Sequence, residues 1–321
     1  MRRLMVVSAV ALTVAFTPSR ASAQTCSNPS QIGDACAVAS DFFRYMAPQF
    51  GTAIAGGSHT LGVGTNLGGF PHFAIALRAN AVLGNFPTID NVQVGPRPAS
   101  REFEVEDGGA AMVTADFALG LTKGFNVGVT RIGGIDLIGG VTYLPTLEED
   151  NFTLTPQSNV SVGLGARVGL LQQSALIPGV AFSYMKRDLP TVDLTAASED
   201  GSGTFDLRDF SIKTSSWRLS AQKNLLLFQL GAGIGGDTYD FSTAANVTVV
   251  NGPITESGSF ADKASMSRTT MYGSLGLNLF LVKVVIEGGQ VSGGSIDTYN
   301  SFATPADDKR LYTNVGLRIS F

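Results

Sequence analysis

The chain is built largely from short segments in which apolar and polar residues alternate. Its C-terminal stretch, LYTNVGLRISF (311–321), has the clearest pattern. Residues of one parity are mostly apolar, and they include Leu311, Val315, Leu317, Ile319 and Phe321. Residues of the other parity are polar or small: Tyr312, Asn314, Gly316, Arg318 and Ser320. Because side chains alternate between the two faces of a strand, the pattern predicts a β-strand with one apolar face.

The same alternation recurs through most of the chain, for example in FAIALRANAVL (73–83), AMVTADFALGL (111–121), NVSVGLGARVGL (159–170) and LFQLGAGI (227–234). The apolar faces stay almost free of charge over about nine to eleven residues, the length with which a tilted strand crosses a bilayer. The opposite faces carry glycine, serine, asparagine and single charges. Two architectures fit this pattern. A soluble sandwich buries its apolar faces against each other, whereas a membrane barrel turns them to lipid.

The lengths of the connections favour the barrel. Short links are predicted at 120–124, 171–175, 223–224 and 280–281, and long polar links at 85–109, 146–157, 189–204, 240–264 and 292–308. Alternation of tight turns with long loops is typical of outer-membrane barrels. The sequence therefore predicts an all-β fold, a transmembrane antiparallel barrel of about ten strands. Twelve strands are the alternative, since 59–68 could add one and 123–145 could be divided.

Aromatic residues near the predicted strand ends match the interfacial girdles of such barrels. They are Tyr143, Tyr184, Trp217, Tyr239 and Phe321. We expect these side chains to lie at the membrane interface.

The first residues, MRRLMVVSAVALTVAFTPSRASAQ (1–24), have the three parts of a secretory signal peptide. Two arginines precede an apolar run, and Ala21, Ser22 and Ala23 form a cleavage site before Gln24. A membrane anchor is the alternative, but the apolar run is shorter than the roughly 20 residues that a spanning helix needs. We expect 1–23 to be removed on export.

The only two cysteines, Cys26 and Cys36, follow directly. In an exported protein a local disulfide between them is expected. A metal site would need further cysteines or histidines nearby, and His59 and His72 are the only histidines in the chain. We therefore predict a disulfide and no metal.

Residues 24–57 differ from the rest of the chain. Ala39, Phe42, Phe43 and Met46 recur at helical spacing, which predicts a short amphipathic helix that ends at Pro48. This helix could be a periplasmic extension, lie on the membrane surface, or plug the lumen. The predicted barrel then occupies 58–321.

Composition excludes one class of function. The chain has 38 glycines and 15% charged residues, and its formal net charge is −4. Removal of Arg2, Arg3 and Arg20 with the signal peptide makes the charge more negative. A general nucleic-acid binder needs a basic face to displace counterions, so we expect no nucleic-acid partner.

Together, the signal peptide, the alternating segments with short and long links, and the closing GLRISF resemble a bacterial outer-membrane β-barrel. The resemblance implies export to the outer membrane of a Gram-negative cell and contact with its lipid. It also implies that the terminal aromatic, Phe321, is part of the signal read by the barrel-assembly machinery. The order of helix, glycine-rich stretch and barrel is faintly similar to the long-chain fatty acid transporter type, but no ligand-contacting residue is carried over.

Charged residues on the polar faces are the candidate functional residues. We predict that they face the lumen: Arg78, Asp116, Arg167, Arg218, Lys283, Glu287 and Arg318. With more cations than anions, they could form a weakly basic pore that favours anionic or amphipathic solutes. Alternatively they form ion pairs that fill a narrow barrel, because the interior of a ten-stranded barrel is only a little wider than one filled by side chains.

No catalytic site is predicted. GAGIGG (231–236) matches a dinucleotide-binding motif, but the residues after it are strand-like rather than helical, so glycines that let a strand bend are the better interpretation. Ser58 and His59 are adjacent, and neighbours on a strand point to opposite faces. We expect a barrel without cofactor or chemistry of its own that admits or binds small hydrophobic or anionic solutes. The alternative is a closed barrel with a structural or surface-contact role, and a lipid-acting enzyme is disfavoured.

Overall fold

The computed structural model describes residues 26–57, 59–62, 64–149 and 152–321. The signal peptide predicted at 1–23 lies outside these residues. One helix, α1 (Pro29–Ala55), precedes the strands. The wall is a ring of antiparallel strands: β1 (Phe73–Pro87), β2 (Val105–Thr122), β3 (Gly134–Tyr143), β4 (Val160–Leu171), β5 (Gly179–Asp188), β6 (Gly203–Leu225), β7 (Phe228–Asn251), β8 (Ile254–Leu279), β9 (Val282–Ser292) and β10 (Arg310–Ser320).

The ring closes between its first and last strands. Leu77 of β1 stands opposite Leu317 of β10, and the backbones of Phe73 and Phe321 exchange hydrogen bonds of 3.1 and 2.9 Å. Each wall strand therefore has two neighbours, and the ring has no free edge. The prediction of an all-β antiparallel barrel of about ten strands is confirmed, and 59–62 and 64–68 form no strand of the wall.

The two ends of the barrel differ. At one end, which we call the turn end, pairs of strands are joined by tight turns such as Leu226–Leu227 and Phe280–Leu281. At the opposite end, the loop end, the long connections lie. The prediction of a loop over 240–264 is wrong, because β7 and β8 continue through these residues and turn only at Gly252 and Pro253.

These tall strands reverse their polarity along their length. In β7, the outward residues Phe228, Leu230 and Ile234 are exposed and apolar near the turn end. Further along, the apolar side chains are inward ones of the opposite parity, and Phe241 and Val247 are buried. The pairing of β7 with β8 keeps its register throughout, so the reversal reflects a change of environment along the strand. The outward apolar part matches a lipid-facing belt, and the remainder matches a section that projects into water.

Short strands complete the loop end. Three of them continue the sheet beside β6, in the order Val192–Ala197, Phe152–Pro156 and Leu147–Glu149. Two more, Glu102–Phe103 and Ser301–Phe302, pair in parallel across loops. At the turn end a small hairpin joins Phe125–Val127 to Thr130–Ile132.

Helix α1 lies inside the ring, against β1, β2, β6, β7 and β8. Every residue from Ile32 to Ala55 is buried, so the helix is enclosed on all sides rather than half-exposed. At 1.5 Å per residue its length is roughly 40 Å. No helix among the described residues is both long enough and apolar enough to cross a membrane.

The prediction that the helix ends at Pro48 is wrong. Pro48 lies within α1, where proline removes one backbone donor and normally costs about 3 kcal/mol. Packing on every side of the helix offsets this local preference. The hydroxyl of Thr52 also donates to the Pro48 carbonyl at 2.8 Å within the same helix.

After α1 the chain continues through the lumen to the turn end and enters β1 at Phe73. The backbone amide of Gly64 donates to Gln222 of β6 at 2.7 Å, and that of Leu67 donates to Asp136 of β3. The wall therefore begins at Phe73, later than the predicted boundary at residue 58. Of the described residues before it, 59–62 and 64–69 belong to the filling of the lumen, whereas Phe70 is exposed at the turn end.

Candidate functional site in the barrel lumen

The structure places all seven predicted lumen residues on the inner face of the wall. Six of them are buried, and Lys283 is half-buried. They do not line an open channel, because the N-terminal segment runs between them. Six of them fall into three groups: a cluster at the end of α1, an ion pair near the turn end, and a basic pair on β9 and β10. The seventh, Glu287, accepts hydrogen bonds from Asn314 at 3.2 Å and Tyr312 at 3.4 Å.

The first group surrounds the last turn of α1. Arg218 forms an ion pair with Asp237 at 2.7 Å and donates to the carbonyl oxygen of Ala55 at 2.9 Å. Arg78 donates to the carbonyl of Gly56 at 3.3 Å, and Arg187 to that of Ile54 at 3.5 Å. Helix C-termini carry unsatisfied carbonyls and partial negative charge, which cations stabilise. The wall therefore caps α1 with arginines from three different strands.

A single carboxylate links two of these arginines. Asp116 accepts from Arg78 at 2.7 Å through one oxygen and from Arg187 at 2.9 Å through the other. Asn80 adds a bond to the carbonyl of Ala53 at 2.5 Å. Each charge in this group is buried, and the ion pairs and hydrogen bonds offset the free-energy cost of removing these charges from water.

The second group lies nearer the turn end. Arg167 donates twice to one oxygen of Asp136, at 2.9 and 2.7 Å, and once to Thr60 at 2.9 Å. Asp136 also accepts from the backbone amide of Leu67. The ion pair therefore binds the segment after α1 to β3 and β4.

Sequence reasoning missed three members of these groups, Asp136, Arg187 and Asp237. The signal was present, because each shares the parity of the polar face of its strand. Asp136 stands between Ile135 and Leu137, which face outward and are exposed. Extending the parity rule to every charge in a strand would have found all three.

His59 lies between two serines of the wall. Its Nδ1 is 2.8 Å from Oγ of Ser183, and its Nε2 is 2.8 Å from Oγ of Ser216. Histidine beside serine is a nucleophile arrangement, but here the ring and both hydroxyls are buried. The contacts satisfy a buried imidazole and join the segment after α1 to β5 and β6.

The loop-end half of α1 packs in an apolar interior. The ring of Phe43 makes edge contacts with Phe210 of β6 and Phe241 of β7, at centroid distances of 5.5 and 6.5 Å. Gly51 lies against the ring of Tyr239, and a Cβ at this position would come within 2.9 Å of it. Tyr239 was predicted in an interfacial girdle, and this is wrong: its parity is inward, and it is fully buried against the helix.

Polar contacts fix the same half of α1 to the loops. Arg44 binds Asp262 of β8 with two hydrogen bonds, at 2.8 and 2.9 Å. Asp34 pairs with Arg101 at 2.9 Å, and Cys26 and Cys36 form the expected disulfide. These contacts tie α1 to β8, to the loop that carries Arg101, and to the residues just before the helix.

Asp41 holds the loop that precedes β10. Its carboxylate accepts from the backbone amides of Tyr299 and Asn300 at 2.7 and 2.8 Å. Burial raises the pKa of Asp41 to about 6 from its ordinary 3.8, while these hydrogen bonds and the charge of Arg44 act in the opposite direction. A buried carboxylate thus depends on loop donors for its solvation.

The closed antiparallel ring, its outward apolar belt and its polar inner face define a membrane-spanning β-barrel of the outer-membrane type. No protein-family model matches the sequence, and no curated protein matches it either. Among solved structures, the chain is similar to the outer membrane protease OmpT from Escherichia coli, with 11% identity and a TM-score of 0.38 over 78% of this chain and 96% of that one.

Two further structures are similar over most of the chain. One is the outer-membrane expressed OmpT of Vibrio cholerae, with 10% identity, a TM-score of 0.21, and coverage of 78% of this chain and 97% of that one. The other is the TodX deltaS2S3 mutant monoaromatic hydrocarbon channel, with 8% identity, a TM-score of 0.29, and coverage of 84% and 97%. At these identities and scores, none of the likenesses carries a site or a function over to this chain.

Proposed function

We propose that the chain is an integral protein of the bacterial outer membrane, a barrel closed across its lumen by its own N-terminal segment, with a surface-contact role at the loop end. The observation that carries the proposal is the burial of α1 on all sides within the ring. On this proposal the apolar belt contacts membrane lipid, and the tight turns face the periplasm.

The contacts of α1 support a permanent closure rather than a mobile one. Withdrawal of the helix would expose the aromatic interior around Phe43 and leave Arg44 and Asp262 without partners. It would also uncover the buried arginines that cap Ala55. Removing one partner from a buried ion pair costs about 3–5 kcal/mol, and here several pairs would break together.

The loop end supports a surface-contact role. There the tall strands β6, β7 and β8 carry polar outward side chains, and the interior is held by α1, the disulfide and the ion pairs. A contact surface that is already ordered loses little conformational entropy on binding. The loop end therefore offers a preformed surface to molecules outside the cell.

Passage of a small solute is the second candidate. One observation favours it: the described lumen residues 56–57, 59–62 and 64–69 are rich in glycine, and their backbone amides donate hydrogen bonds to the wall, for example to Gln222 and Asp136. Displacing such a segment would expose polar surface, which water can solvate. The loop-end half of α1 would still have to move for a continuous path.

The two candidates are separated by tethering α1 to the wall. Ser40 and Asp262 are in hydrogen-bond contact at 2.8 Å, so the double variant S40C/D262C can be oxidised to a disulfide across this contact. A permanently closed barrel conducts no ions in a planar bilayer, with or without the tether. A gated channel would conduct as wild type, fall silent when tethered, and recover on reduction. Reduced wild type is the control for the native disulfide.

A further inference from the structure

Two basic side chains stand side by side on the inner face near the turn end. Lys283 of β9 is directly opposite Arg318 of β10 in the register of the sheet. Directly paired residues on one face of a sheet have Cβ atoms about 5 Å apart, and like charges in this arrangement destabilise the pair. A compensating contact is therefore expected near them.

The protein supplies little compensation. Arg318 is 7% exposed, and its Nε is buried without a hydrogen-bond partner. Within the described part of the chain, no ion pair or hydrogen bond reaches the side chain of Arg318. The ammonium of Lys283 donates to Gln229, a neutral amide, and makes no ion pair among the same residues.

The nearest charged groups from other elements leave an excess of positive charge. The interior facing Arg318 holds Arg167 and Asp136. Asp136 is already bound by two nitrogens of Arg167 and by the backbone amide of Leu67. With one carboxylate, already engaged, against three cations, the site lacks negative charge. Of the other acidic groups on the inner wall, Asp116 and Asp237 are bound to arginines further along the lumen, and Glu287 of β9 accepts hydrogen bonds from Asn314 and Tyr312 at 3.2 and 3.4 Å.

We propose that Lys283 and Arg318 form a binding site for an oxyanion at the turn end of the lumen, with a phosphate group as the ligand. A guanidinium presents planar paired donors to phosphate oxygens, and an adjacent ammonium adds a point charge. The free Nε of Arg318 supplies a donor that the protein leaves unused. The site does not require the lumen to open, so it goes beyond the closed-barrel proposal.

The phosphate has two sources, free inorganic phosphate or the headgroup of a phospholipid at the same membrane face. Both offer the same oxygens to the pair. The two are distinguished by native mass spectrometry of protein extracted from membranes: a retained phospholipid adds the mass of a lipid, and free phosphate does not.

Binding is tested with inorganic phosphate and refolded full-length protein in phosphate-free zwitterionic detergent. The expected result is saturable binding of radiolabelled phosphate in equilibrium dialysis, weakened at least tenfold in R318Q and K283Q. The matched control is K263Q, which removes an exposed lysine of β8 and should bind as wild type. In a parallel series, chloride at equal ionic strength replaces phosphate, and we expect no saturable binding of chloride.

Two outcomes would overturn the proposal. One is that wild type shows no saturable binding of phosphate and that protein extracted from membranes retains neither phosphate nor phospholipid. This result does not depend on the folding of any variant. The other is equal binding by wild type, R318Q and K263Q, which would mean general attraction to basic surface. Neither outcome bears on closure of the lumen, which the tethering experiment measures separately.

Discussion

Nη2 of Arg218 donates a hydrogen bond of 2.9 Å to the carbonyl oxygen of Ala55, which joins the middle of β6 to the last turn of α1. The same guanidinium is paired with Asp237 of β7 at 2.7 Å. One side chain thus holds two wall strands and the helix inside them. The wall and its filling are parts of one buried polar network, and they should unfold together.

Replacing Arg218 should reveal this coupling. Arg218→Ala leaves Asp237 buried without its partner, and we expect a loss of about 3–5 kcal/mol in the free energy of unfolding. Arg208→Ala is the matched control, since Arg208 also lies in β6 and pairs with Asp206, but on the exposed face. The control should cost less than about 1 kcal/mol. Urea unfolding from lipid vesicles measures the free energy of unfolding of both variants. Equal losses of stability in the two would contradict the network.

The contact between α1 and β7 predicts a steric effect at Gly51. A Cβ at this position meets the ring of Tyr239 at 2.9 Å, so Gly51→Val should destabilise the protein by about 1–3 kcal/mol through overpacking. Gly288→Val in β9 is the control, because its added Cβ has no atom within 4 Å. Thermal unfolding of the two variants decides the matter. A neutral Gly51→Val would mean that α1 does not pack on Tyr239.

Asp41 predicts a dependence on pH at the loop end. Its pKa is raised by burial to about 6, so its protonated form favours the folded state. This contribution is fully present below its ordinary pKa of 3.8 and is lost as the pH rises through about 6. Between roughly pH 4 and pH 7.5, the free energy of unfolding of wild type should fall by up to about 3 kcal/mol relative to that of D41N. A constant difference in unfolding free energy between wild type and D41N would contradict this prediction.

The C-terminal residue predicts an effect on assembly rather than on stability alone. The ring of Phe321 stacks on that of Phe73 at 5.0 Å, at the seam where β1 and β10 close the barrel. We expect this aromatic to be read during assembly of the barrel. Phe321→Ala should lower the amount of folded protein in the outer membrane several-fold, and Phe73→Ala should lower it less. Equal levels of all three proteins in membrane fractions would oppose a signalling role for Phe321.

The alternating pattern was sufficient to predict the wall. In β1 and β10 every apolar residue of one parity faces outward, and Arg78 and Arg318 face inward. Period-two alternation is a local property, so it is readable from the sequence alone. The tall hairpin of β7 and β8 was missed because its polarity reverses near Tyr239, which made the strand resemble a polar loop.

The filling of the lumen could not be predicted to the same degree. The helical spacing around Phe42 and Phe43 indicated a helix, but its extent beyond Pro48 depends on enclosure by the wall, which is a long-range property. The partners of Asp41 and Arg44 are more than two hundred residues away along the chain. Spacing within a segment carries no information on such contacts.

The central claim, a membrane-inserted barrel closed by its own N-terminal segment, is tested most directly by ion current through planar bilayers that contain the refolded wild-type protein. Insertion is verified first. Trp217 is the only tryptophan in the chain and is 40% exposed on the outward face, so brominated lipids should quench its fluorescence. With insertion established, we predict no current steps. Discrete steps from protein whose Cys26–Cys36 disulfide is intact would contradict the account.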